Sequence, residues 1–130
     1  MKQTITLPVL FTFADNASES STLNLAESGL KGLRQFAIDF PSGWVAANLG
    51  VQVKRFAADA TWIPVLLPGS LLHAVILNIP TSAVGRKLFP AEGWMVGNGA
   101  DLIRFVSISA TDVAVTQTGG PLTLYLIPLE

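Results

Sequence analysis

Residues 60–85 include no Asp, Glu, Lys or Arg, yet Pro64, Pro68-Gly69 and Pro80 interrupt them. An uncharged run of that length would be long enough to cross a bilayer as a helix. A proline inside a helix, however, removes a hydrogen bond and costs about 3 kcal/mol. Pro-Gly is also a strong turn signal. The longest unbroken apolar piece, 71–79, is strand-length and carries His73 and Asn78. The run therefore reads as short extended pieces joined by turns, and the sequence predicts no membrane span. At the N-terminus, Pro8 and the lack of a small-residue cleavage site argue against a signal peptide.

The rest of the chain follows a period of two. Phe36, Ile38 and Phe40 alternate with Gln35, Ala37 and Asp39. Leu49, Val51 and Val53 alternate with Asn48, Gln52 and Lys54, and Leu122, Leu124 and Leu126 with Thr123, Tyr125 and Ile127. Val113 and Val115 continue the pattern. Alternation of this kind puts one set of side chains on a buried face and the other on the opposite face of a strand. Residues 74–79 and 102–108 are nearly continuous apolar runs, as in strands covered on both faces or facing an interface. Turn signals separate these pieces at Pro41-Ser42-Gly43, Pro68-Gly69-Ser70, Pro80-Thr81-Ser82, Gly97-Asn98-Gly99 and Gly119-Gly120-Pro121. Short strands with frequent turns predict an all-β sandwich or barrel. Residues 14–22 read as a long polar loop. Residues 23–33 fit either a helix, with Gly29 and Gly32 against it, or a strand followed by a loop.

Composition narrows the possible functions. The 130 residues fit one domain, 1–130, with no linker or repeat. Half the residues are apolar and only 13% are charged, about half the usual charged share. That excludes disorder. Eight scattered Lys and Arg make no basic stripe for nucleic acid. The chain has no Cys, which excludes disulfides, thiolate metal sites and a cysteine nucleophile. The surplus of apolar over charged residues points to surfaces meant for other subunits.

Candidate chemistry is sparse. His73 is the only histidine, and no Gly-x-Ser-x-Gly elbow accompanies it, so a structural role is expected over a triad on a small hydrolase. The acidic residues are dispersed and form no calcium loop, so no catalytic residue, metal or cofactor is predicted. Gly97-Asn98-Gly99 lacks the rest of a phosphate loop and reads as a tight turn. Trp44, Trp62 and Trp94 fit core or interface anchors, with sugar-stacking platforms as the alternative. Arg104 lies inside the apolar run Leu102-Ile103-Arg104-Phe105-Val106. A buried arginine without a partner costs several kcal/mol. It should therefore meet a carboxylate or lie in an interface, within this chain or with a neighbour.

Several pieces, taken in order, resemble a known family. They are Phe36-Ala37-Ile38-Asp39-Phe40-Pro41, Trp44-Val45-Ala46-Ala47-Asn48-Leu49 and Ala60-Thr61-Trp62. Leu102-Ile103-Arg104-Phe105-Val106-Ser107, Val113-Ala114-Val115-Thr116-Gln117 and Leu122-Thr123-Leu124-Tyr125-Leu126 follow. In this order they resemble small virion structural proteins of tailed bacteriophages, over most of the chain from about residue 20. The chain departs from the pattern at Pro68-Gly69-Ser70-Leu71-Leu72 and at Ser109-Ala110-Thr111. The resemblance implies a jelly-roll-like antiparallel β-sandwich. It also implies a decoration or cement protein bound to the capsid exterior, with the major capsid protein and copies of itself, often as a trimer, as partners. Assembly would take place in the bacterial cytoplasm, where a chain without cysteine is at no disadvantage. A tail or baseplate sandwich that binds host glycans through Trp44, Trp62 or Trp94 is the alternative.

Overall fold

The computed structural model of the chain describes residues 9–24, 35–55, 58, 60–66, 88–92 and 102–129. The expected strand at 74–79, the turns at 68–70, 80–82 and 97–99, His73 and Trp94 lie outside these residues, as does most of 23–33.

The described residues are all-β. Alternating sequence becomes strand wherever one set of side chains can be buried. The strands are β1 (Val9–Phe13), β2 (Leu23–Asn24), β3 (Gln35–Asp39), β4 (Asn48–Lys54), β5 (Ile63–Pro64), β6 (Leu88–Glu92), β7 (Leu102–Ile108) and β8 (Leu122–Leu129). They form two four-stranded sheets, ordered β1-β8-β3-β6 and β2-β7-β4-β5. Every pairing is antiparallel. Each strand of the first half pairs with its mirror image in the second: β1 with β8, β2 with β7, β3 with β6 and β4 with β5. Two further pairings, β3 with β8 and β4 with β7, complete the sheets.

One hydrophobic cluster joins the two sheets. Phe11, Phe36, Ile38 and Leu124 come from the first sheet, and Leu49, Val51, Ile103 and Phe105 from the second. Phe11 meets Phe105 across the layers, with ring centroids 4.4 Å apart in an edge-to-face arrangement. Trp44, on the connection between β3 and β4, packs edge-on against Phe13 and Phe40, each at 5.2 Å.

The alternation of Val113 and Val115 does not produce a strand. Ser109 Oγ accepts the amides of Thr111 and Val113, and Asp112 adopts φ 63°. This tight turn folds the chain back beside the end of β7. The Val115 amide then bonds the Ser107 carbonyl, leaving Val113 60% exposed. A local turn thus overrides a pattern too short to bury a face. The polar stretch 14–22 is likewise pinned, with bridges Phe13↔Ser20, Ala17↔Gln117 and Glu19↔Val106.

Gly119 and Gly120 lead into β8 at φ +97° and +96°, with open space where a Cβ would lie. Backbone strain rather than collision therefore sets the cost of a side chain here. Gly120→Ala should lose about 1–2 kcal/mol, read as a lower urea midpoint. An unchanged midpoint would contradict this account of the turn.

Candidate functional site

Strand alternation divides the sequence-predicted residues between core and surface. Trp44 is 1% exposed. The strands bury their apolar sets, and the short connection after β3 brings the Trp44 ring in among them. Its indole Nε1–H is buried without a hydrogen-bond partner, so shape rather than polarity selects tryptophan there. This placement removes Trp44 as a sugar platform.

Trp62 and Arg104 come together on the outer face of the β2-β7-β4-β5 sheet. β4 buries Leu49, Val51 and Val53, which turns Gln52 and Lys54 outward. The antiparallel register puts Arg104 opposite Gln52 and Leu102 opposite Lys54. On the other side of β4, Pro64 pairs with Gln52 and Ile63 with Val53, so Trp62 follows next to Lys54. Arg104 donates its Nε–H to Gln52 Oε1 at 2.8 Å. Its guanidinium carbon lies 4.4 Å from the centre of the Trp62 ring, and Lys54 Nζ lies 4.8 Å from the same centre. Cation–ring contacts of this kind contribute about 0.5–1 kcal/mol at exposed sites.

Among the described residues, an amide oxygen and an aromatic face are the groups that Arg104 touches. Burial pushes the guanidinium below its ordinary pKa, and the negative charge of Glu19 acts in the opposite direction. Among the described residues Arg104 forms no ion pair. Part of the desolvation cost is offset by the Gln52 acceptor and the Trp62 ring.

Lys54 and Gln52 are the members that sequence reasoning placed only as a scattered charge and an alternating polar residue. Their signal was the i, i+2 spacing, which puts both on one face of a strand. Trp62 joins them only through pairing of β4 with β5, which no local pattern announces.

A second polar group escaped notice because it is buried. Gln117 is 0% exposed. Its Oε1 accepts the Val45 amide at 2.7 Å, and its Nε2 donates to the Val45 carbonyl at 3.0 Å and to Ser107 Oγ at 2.9 Å. It thereby ties the residue after Trp44 to the end of β7, a structural rather than chemical role.

Among the described residues, no group of three His, Cys, Asp or Glu stands close enough to hold a metal ion. No described helix is long and apolar enough to cross a membrane. No protein-family model, curated protein or solved structure matches the chain.

Proposed function

We propose that this chain is a jelly-roll β-sandwich acting as a non-enzymatic structural protein of a virion. In this reading it decorates the capsid exterior as a cement protein, with the major capsid protein and copies of itself as partners. The nested pairing carries the proposal: β1 with β8, β2 with β7, β3 with β6 and β4 with β5, divided between two four-stranded sheets. A long hairpin rolled up in this way is the jelly-roll plan, an architecture used by viral capsid and lectin domains. The step from that fold to a virion role is an analogy, strengthened by the family resemblance of the sequence.

The surface chemistry supports the same reading. On the outer face of the β1-β8-β3-β6 sheet, Leu10 is 52% exposed and sits opposite Tyr125, which is 37% exposed. Thr12 and Thr123 pair through their hydroxyls at 3.1 Å, and Ile127 lies opposite Ala37. The outward positions of β1, β3 and β8 described here present no exposed charged side chain; Asp39 is 6% exposed. Charged residues are the usual guard against unwanted sheet association. A face without them suits contact with other subunits.

Particle purification tests this function. In a host producing the phage that encodes the chain, an epitope-tagged copy should co-sediment with virions on a density gradient. Particles lacking it should release their genome at a lower temperature. A chain that stays at the top of the gradient, with particles unchanged in heat resistance, would contradict the proposal. The half-buried surface position of Trp62 favours one alternative, a tail or baseplate module that binds host glycans. In that case glycan-array binding should disappear in Trp62→Ala while the fold survives.

A further inference from the structure

The outer face of the β2-β7-β4-β5 sheet holds two cations that form no ion pair with any described carboxylate. Arg104 belongs to β7, and Trp62 precedes β5 on the far side of β4. Neighbouring strands lie about 4.8 Å apart, so the Arg104 side chain reaches across β4 to the ring. Gln52 holds its Nε–H and Trp62 lies against its guanidinium. The two Nη groups make no hydrogen bond with any described residue. The fork is therefore oriented and partly desolvated, and the described residues leave its two-pronged edge unused. Lys54 adds a second positive charge at the same ring. Glu19 contributes its field without closing an ion pair.

We propose that Arg104, Lys54 and Trp62 form a docking site for an acidic protein surface, receiving one Asp or Glu side chain of a partner. A guanidinium fork matches a carboxylate in two parallel hydrogen bonds. Two cations complement one such group. Binding a polyanion such as nucleic acid needs many phosphate contacts, and the chain as a whole carries a net charge of −1. An exposed apolar residue suits a protein partner: Leu66, an even number of positions along the strand from Trp62, is 39% exposed. Arginine and tryptophan are enriched at interface hot spots. The inference goes beyond the virion reading and stands without it; where that reading holds, the carboxylate belongs to the shell subunit.

The test is an NMR titration of the intact chain that follows the Trp62 indole N–H and the Arg104 Nε–H. The probe is an acetylated, amidated hexaglutamate peptide, with hexaglutamine as control. Hexaglutamate should shift both signals saturably, hexaglutamine should not, and added salt should weaken the effect. Arg104→Gln should lower the affinity about tenfold or more. Arg104→Lys, which keeps the charge and loses the fork, should also weaken it. Lys54→Gln provides a second variant on the neighbouring strand β4, and thermal melts confirm that each variant folds. Equal shifts with hexaglutamine, no shift with either peptide, or unchanged binding in folded Arg104→Gln and Lys54→Gln would overturn the proposal. So would a stronger response of the same signals to duplex DNA or to a sialylated glycan, which would assign the site to another class of ligand.

Discussion

Trp44→Ala should cost the fold about 3–5 kcal/mol, the range for truncating a large buried aromatic. The ring is 1% exposed and packs edge-on against Phe13 and Phe40. Phe13 ends β1 and Phe40 follows β3, so the ring joins one sheet to the connection leading into the other. Deleting it leaves a cavity among strands whose registers are fixed by backbone pairing, so collapse can recover little. Trp44→Phe should cost much less. It keeps a ring in the same place and removes the indole N–H, which is buried without a partner. Urea unfolding at fixed protein concentration measures both effects, because self-association would make apparent stability depend on concentration. A loss below about 1 kcal/mol for Trp44→Ala would be typical of ordinary positions and would deny the ring its anchoring role.

Gln117→Ala should be the second most damaging change, at about 2–3 kcal/mol, because it leaves several partly buried groups unpaired at once. The amide bonds both backbone groups of Val45 and the Ser107 hydroxyl. Part of the Val45 contact is open to water, which keeps the loss below that of a fully buried network. Ser107→Ala removes only one of these bonds and should cost about 1 kcal/mol. The double variant should lose less than the sum of the two, since the residues share a bond. Gln117→Ala within about 0.5 kcal/mol of the parent would match an ordinary surface change and would show that Val45 is held by other means.

These two residues also mark the limits of what the sequence discloses. β3, β4 and β8 were legible because a period of two records which side faces the core, and β7 because a strand with much of its length buried is apolar along it. Val113 and Val115 carry the same period, yet the Ser109 turn and the left-handed Asp112 prevent them from forming a strand. The arrangement of strands was not legible, since β1 meets β8 only across nearly the whole chain. The candidate site was half legible. Arg104 stood out as a charge in an apolar run, and its need for a partner followed from desolvation. That the partners are Gln52 and Trp62 depends on the register of β4 with β7 and β5, which is a long-range property. Gln117 gave no local signal, because a buried glutamine has the same letter as an exposed one.

The low charge of this chain gains a physical meaning from the structure. Two of its exposed apolar side chains, Leu10 and Tyr125, sit opposite each other on one sheet face. The claim that such surface is covered by other subunits is tested most directly by sedimentation equilibrium of the purified chain over a wide concentration range. The account predicts a concentration-dependent oligomer, with a trimer as the limiting species built from the 13.8 kDa chain. Leu10→Lys with Tyr125→Lys should shift it to monomer while the fold persists. A wild-type chain that remains monomeric at every concentration up to the millimolar range of weak association would contradict it.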